Sequence, residues 1–184
     1  HPVDIIIDFS SARAHRKYTS AADFGIKIIS AISKYKAEDV EDLKQMSEKT
    51  AVLYSPNITL GVNFLLVASQ ILQGIAPHAD IEVVEEHFRD KKEQSGTALK
   101  IAEILGLDKD KHVNSIRVGG IVGKHEIIFG LPNQTIRLVH ESINRAAFGQ
   151  GAIFASKWLV NAPLGMYSME NIIVDMFKRS IPVY

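Results

Sequence analysis

Between Glu85 and Ala98 the chain reads EEHFRDKKEQSGTA, which brings an imidazole, two adjacent ammonium groups and a Ser-Gly-Thr run into a single segment. Histidine titrates near neutral pH, and a positioned ammonium is a proton donor, so His87 and Lys91 are candidates for proton transfer. A glycine flanked by hydroxyl residues at a helix start offers free backbone N–H groups and the positive end of the helix dipole to an anion. Ser95, Gly96 and Thr97 fit that description, and the segment predicts a site for a carboxylate-bearing substrate. Each residue also has a plainer reading. His87 on type alone is a surface or core histidine, Lys91 and Lys92 are a solvated turn, and Ser95 or Thr97 is an ordinary helix cap.

The surrounding elements decide how these groups are presented. Ile81 and Val83 alternate as in a β-strand, so a strand over Asp80–Phe88 ends at His87, and a helix over Thr97–Leu105 follows the turn. Upstream, strands over Val3–Phe9, Ile26–Ala31 and Ala51–Tyr54 alternate with helices over Ala12–Phe24 and Lys36–Lys49, the pattern of βαβ units and a parallel sheet. After the turn at Ser55-Pro56-Asn57 comes an apolar helix over Leu60–Ile75. Three strands are predicted near 112–118, 124–130 and 134–142, then helices over Arg145–Val160 and Met169–Phe177. The expected architecture is α/β: a partial Rossmann-like parallel-sheet domain, 1–58, plus an α+β C-terminal domain, 59–167, with a mixed four-stranded sheet. The helix at 168–177 is expected to pack back on the first domain.

Lys+Arg 21 against Asp+Glu 21 gives no global attraction to nucleic acid or an anionic membrane, and neither is expected as a partner. No apolar run approaches the ~20 residues of a membrane span. The absence of cysteine excludes disulfides and thiolate metal sites and fits a reducing, cytoplasmic compartment. His125 and His140 lack a second ligand at metal-binding spacing, so no metal is expected. The glycine-rich link from Arg117 to His125 reads as a hairpin, and Gly149-Gln150-Gly151 as a close-packed helix rather than half of a dinucleotide fingerprint. A continuous apolar strand directly after His1-Pro2 is the expectation for a chain with further sequence upstream.

In several segments, in order, the sequence resembles the 4-hydroxy-tetrahydrodipicolinate (dihydrodipicolinate) reductase family. That family's signature is roughly E-x-H-H-x-x-K-x-D-A-P-S-G-T-A, which Glu85–Ala98 follows with one residue deleted before the serine. Val3–Ser11 is similar to its V-x-I-D-F-S strand, and Ser55–Asn63 to its A-x-N-F-S-x-G-V-N. Ser115–Gly130 resembles its S-x-R-x-G-x-x-x-G-x-H segment, and Leu138–Phe148 its I-x-H-x-x-x-S-R-x-x-F.

The resemblance implies an NADPH- or NADH-dependent reductase, a homotetramer, acting on a cyclic dicarboxylated imine. His87 falls on the family's general acid/base and Lys91 on its proton donor. Phe88, Ser95, Gly96 and Thr97 fall on substrate-binding positions. Phe9 and Ser10, Ala31, Ile32 and Ser33, and Ser55, Pro56, Asn57 and Ile58 fall on the cofactor-binding segments. The departures are specific. The glycine-rich first βαβ is not in this sequence, and the family's Gly-Thr-Thr turn is Ala31-Ile32-Ser33. Its second histidine is Phe88, and its Asp-Ala-Pro is reduced to Glu93-Gln94. Two alternatives stand beside the reductase: a non-catalytic homologue that keeps the oligomerising domain, and a reductase with a changed substrate.

Overall fold

Short apolar runs build the first sheet of the computed structural model, which describes residues 2–181. Strands β1 (Ile5–Asp8), β2 (Lys27–Ser30), β3 (Ala51–Tyr54) and β8 (Gly165–Tyr167) lie parallel in the order β1-β2-β3-β8. Ile28 and Val52 point to one face, where they meet Leu43 and Met46 of helix α1 (Ala37–Ser47). Ile29 and Leu53 point to the other, against Ala152, Ala155 and Leu159 of α5 (Ala146–Leu159) and Met169 and Ile172 of α6 (Met169–Ser180). Cover on both faces is why successive residues at the centres of β2 and β3, Ile28-Ile29 and Val52-Leu53, are all apolar. Gly151 lets α5 press onto the chain after β3: a Cβ there would lie 1.9 Å from the Ile58 carbonyl oxygen. The close-packed reading holds at Gly151, whereas the Cβ position of Gly149 has nothing within 4 Å.

Two features of this region differ from expectation. Residues 12–24 form two 3-10 segments, Ala14–Lys17 and Thr19–Phe24, rather than one α-helix. Only His15, Ala21 and Ala22 are buried there, too few for an amphipathic stripe, and Gly25 at φ 70° ends the segment in the left-handed region. Strand β8 is three residues long and was not anticipated; so short a run carries no readable period.

The chain divides into two compact units, residues up to Leu60 together with those from Phe148 onward, and Gly61–Ala147. Helix α5 from Phe148 and strand β8 therefore belong with the parallel sheet, not with a 59–167 domain, because their apolar side chains complete its second face.

The second unit is built on β4 (Asp80–His87), β5 (Val113–Arg117), β6 (Gly123–Leu131) and β7 (Gln134–Ser142), in the order β5-β4-β6-β7. β5 runs parallel to β4 and the other pairs are antiparallel, giving the mixed four-stranded sheet. Helices α2 (Leu60–Ile75) and α3 (Gly96–Ile104) cover one face through Val62, Leu65, Leu66, Ala98 and Ile101, packed on Ile81, Val83, Ile127 and Phe129. A one-turn helix, α4 (Lys109–His112), precedes β5. The glycine-rich link is not a hairpin, since β5 and β6 flank β4 on opposite sides. It passes the end of β4 instead, with the Val118 amide donating to the His87 carbonyl and the Arg89 amide to that of Gly119 (3.0 and 3.1 Å). Among the described residues no helix is long and apolar enough to cross a membrane.

Candidate active site

Strand β4 buries alternate residues, and the buried set changes character along its length. Ile81 and Val83 join the core, while Glu85 and His87 continue the same face as polar groups. Glu85 is wholly buried and would be costly if unpaired. Arg117 grips it with both terminal nitrogens, Nη2 to Oε1 at 2.6 Å and Nη1 to Oε2 at 2.8 Å. Ser115 Oγ donates at 2.7 Å and the Ser95 amide at 3.3 Å. Burial pushes the Glu85 carboxyl up, but the hydrogen bonds from Arg117, Ser115, His87 and Ser95 outweigh it and bring the pKa down to about 2. Glu85 is therefore a carboxylate, which only accepts. It follows that His87 Nδ1, 2.5 Å from Oε2, carries a proton, and Nε2 is the ring atom where a proton can come and go. Gly123 faces that nitrogen: a Cβ there would sit 3.1 Å from it.

A second buried histidine flanks the pair. His125 lies opposite Glu85 in the sheet register, and its ring meets that of His87 edge-on at 5.3 Å. Burial first, then the neighbouring His87, lowers its pKa to about 4, with Glu85 acting in the opposite sense. The ring is thus neutral at physiological pH. Its Nε2 is 2.7 Å from Ser95 Oγ, and its Nδ1 is buried with no partner. A bare lone pair in the interior costs less than an orphaned N–H, so the proton sits on Nε2 and is donated to Ser95. Ser95 Oγ then keeps its own proton for another acceptor. The next residue in the row, His140, has its pKa lowered by burial and packs on Gly61, where a Cβ would lie 2.1 Å from its ring.

Because Ser95 Oγ is engaged with His125, it makes no side-chain cap to α3. The first turn of that helix is open at Gly96, which is exposed and whose Cβ position has nothing within 4 Å. Thr97 is half-buried beside it. Arg117 also fixes the loop between His87 and the helix, donating from Nε to the Lys91 carbonyl and from Nη2 to that of Glu93, both at 2.9 Å. Lys91 is half-buried in this loop; Lys92 and Phe88 are exposed. The structure thus brings His87, Ser95 and the loop carrying Lys91 onto one carboxylate, Glu85, and one guanidinium, Arg117.

The other candidate residues stand in the first unit. Phe9 and Ser10 follow β1, Ala31, Ile32 and Ser33 follow β2, and Ser55, Pro56, Asn57 and Ile58 follow β3. All lie beyond the carboxyl ends of adjacent parallel strands, the edge where open α/β sheets bind ligands. Ile32 and Ile58 are buried and turn their side chains inward. Ser10 folds back on Asp8, with N and Oγ at 2.8 and 2.5 Å from Oδ1, and Ser55 Oγ donates to the Asn57 carbonyl at 2.7 Å.

Sequence reasoning did not single out Glu85, Arg117, Ser115 or the Ser95–His125 contact. The i, i+2 spacing of Glu85 and His87 was the available signal, since it puts both side chains on one face of a strand. Arg117 and Ser115 needed the strand register, which pairs them with His87 and Glu85 across thirty positions.

A parallel sheet with loops at its carboxyl edge, in one chain with a unit that fixes a histidine against a buried carboxylate, defines a two-unit α/β enzyme. Residues 58–173 match the family model described as dihydrodipicolinate reductase, C-terminus. The 4-hydroxy-tetrahydrodipicolinate reductase of Syntrophus aciditrophicus is 30% identical over 195 residues, covering 92% of this chain and 73% of its own. That of Archaeoglobus fulgidus is 32% identical, covering 92% and 76%. In fold, the chain is similar to the dipicolinate-bound dihydrodipicolinate reductase of Paenisporosarcina sp. TG-14, with a TM-score of 0.79 at 20% identity over 92% of this chain and 73% of that one. The chain belongs to the dihydrodipicolinate reductase family, a family of oxidoreductases.

Proposed function

We propose that the protein reduces 4-hydroxy-tetrahydrodipicolinate to tetrahydrodipicolinate with NADPH or NADH, a step of lysine and diaminopimelate biosynthesis. The observation that carries this reading is the sharing of Glu85 by His87 and by the Ser95 amide at the open start of α3. A group able to move a proton and a cradle for a carboxylate are held by the same buried anion. The relatives' names support the substrate, and a solved relative binds dipicolinate, a ring dicarboxylate of the same kind.

In this reading the Ser95 hydroxyl, freed by the bond from His125, and the first turn of α3 at Gly96 and Thr97 bind one substrate carboxylate. The 4-hydroxyl leaves as water to give a conjugated ring imine. Lys91 Nζ then supplies the proton that accompanies hydride addition to that imine, and His87 Nε2 acts as the acid/base beside it. A positioned acid of this kind contributes about 10²–10⁴-fold. The nicotinamide, when bound, supplies the hydride. Residues 9–10, 31–33 and 55–58 suit such a cofactor because they form one edge. The inward turn of Ile32 and Ile58 leaves main chain, not bulk, facing it. A homotetrameric, cytoplasmic enzyme is the fuller form of the proposal. The sheet face away from α2 and α3 leaves Ile116 and Val139 exposed, which suits burial against a second copy. A monomer in sedimentation at micromolar concentration would contradict that assembly.

The test is substrate-dependent oxidation of NADPH or NADH by the full-length protein on enzymatically generated 4-hydroxy-tetrahydrodipicolinate. Turnover is expected; its absence, in a folded protein, would favour the non-catalytic homologue. Phe88 supports a second reading, a more apolar substrate, because it is 41% exposed beside His87 and offers no donor or charge. Phe88→His separates the two. On the family's substrate it should lower KM by about one to two decades, the worth of a charge-assisted hydrogen bond, whereas an apolar-substrate enzyme gains nothing.

A further inference from the structure

The 3-10 segment after β1 and helix α1 are joined by side chains that the proposed reaction does not use. His15 is fully buried at 0% exposure, and Asp39 of α1 is buried beside it. His15 Nδ1 lies 3.1 Å from the Ala12 carbonyl. A carbonyl oxygen only accepts, so Nδ1 carries a proton and Nε2 is the nitrogen turned toward α1. Nε2 is 2.9 Å from Asp42 Oδ2 and 3.9 Å from Asp39 Oδ1. Asp39 Oδ2 accepts from the Lys36 amide, while its Oδ1 is buried with no hydrogen-bond partner. One imidazole nitrogen and two carboxylate oxygens, all within 4.8 Å of one another, therefore converge on one point.

We propose that His15, Asp39 and Asp42 form a binding site for a first-row divalent cation such as Zn²⁺, which staples the 3-10 segment to α1. An imidazole whose other nitrogen donates to a backbone carbonyl is the usual state of a metal-bound histidine. Metal–ligand distances of about 2.0–2.1 Å in a tetrahedral site place ligand atoms about 3.3 Å apart. The two separations from Nε2, 2.9 and 3.9 Å, bracket that value, so each carboxylate needs a shift of about half an ångström relative to Nε2. A mixed nitrogen–oxygen set suits Zn²⁺ or its neighbours better than Mg²⁺ or Ca²⁺, which take all-oxygen shells. The Asp42 side chain is partly exposed and also lines a cavity of about 530 Å³ with Thr19, Asp23 and Lys49, which leaves one ligand of the cluster open to solvent. The staple has a structural reason. The 3-10 segments bury little apolar surface of their own, and His15 packs edge-on against Tyr35 at 5.3 Å, next to the start of α1.

Arg16 opposes the ion. Its half-exposed guanidinium lies 3.7 Å from Asp39 and 3.6 Å from Asp42, where it neutralises the carboxylates in the ion's place. That opposition gives a test with two signs. Calorimetric titration of the full chain with Zn²⁺ should show one equivalent bound, with a rise in the thermal unfolding midpoint. Asp42→Asn, a substitution at a partly exposed position, should weaken binding by more than about tenfold and abolish the rise. Arg16→Gln should tighten it severalfold. His125→Asn, which removes a buried histidine elsewhere, should leave the isotherm unchanged. No binding to the wild type, or binding indifferent to either Asp42→Asn or Arg16→Gln, would overturn the proposal and leave His15 as a hydrogen-bond partner of Asp42 alone.

Discussion

In the parallel sheet the candidate residues occupy the loops that follow β1, β2 and β3, whereas in the mixed sheet Glu85, His87 and His125 are strand residues facing the helices. The loop side chains are satisfied locally: Ser10 bonds Asp8, and Ser55 bonds Asn57, each two residues away. The strand side chains are satisfied at long range, Glu85 by Ser115 and Arg117 at separations of 30 and 32 residues. A loop edge of this kind presents main chain and tolerates changes of side chain. The strand site is a set of buried polar groups that must all be present together, because any one left alone lies unsolvated.

The largest predicted effect breaks the strand network. Arg117→Ala leaves Glu85 buried without its cation and releases the Lys91 loop, and should lower unfolding free energy by about 3–5 kcal/mol in urea denaturation. A loss below about 1 kcal/mol would mean that the ion pair is not what holds the site.

Next in size is a pH effect. His125 has a folded pKa of about 4 against an ordinary 6.5, so between these values the unfolded chain binds more protons than the folded one. Stability present above pH 6.5 should fall by roughly 3 kcal/mol as the pH drops toward 4. Glu85, at about 2 against 4.5, should add a further loss only below pH 4.5. Urea denaturation of wild type and His125→Asn at pH 7 and pH 4 checks this, since the substitution should remove the first loss and spare the second. Equal slopes in the two proteins would assign the effect elsewhere.

The smallest effect belongs to the loops. Ser55→Ala removes one hydrogen bond and should cost about 1 kcal/mol. A cost equal to that of Arg117→Ala would erase the contrast between the two regions.

Much of this architecture was legible in the sequence because the apolar periods are clean: β3 over Ala51–Tyr54 and α2 over Leu60–Ile75 have the bounds that pattern predicts. Residues 12–24 misled, since alanines and hydroxyl residues suit an α-helix by composition without supplying a stripe to bury. The path from Arg117 to Gly123 misled for another reason. Glycines mark a change of direction, but which strand the chain pairs with next is a property of the sheet. The same limit applies to the site. His87 and the Ser95-Gly96-Thr97 run stand out by type and spacing, while the groups that fix them, Arg117 and His125, are distant in sequence and become neighbours only through the register of β4 with β5 and β6.

Lys91 and Lys92 are adjacent and alike in type, and the structure separates them: Lys91 is half-buried with its carbonyl held by Arg117, and Lys92 is exposed. Steady-state kinetics of Lys91→Ala and Lys92→Ala in the full-length enzyme is the most direct test of the account. Lys91→Ala should lower kcat by at least about 10²-fold, and Lys92→Ala should leave it nearly unchanged. Equal effects, or a larger one at Lys92, would contradict the assignment of the proton donor and with it the site built around Glu85 and His87.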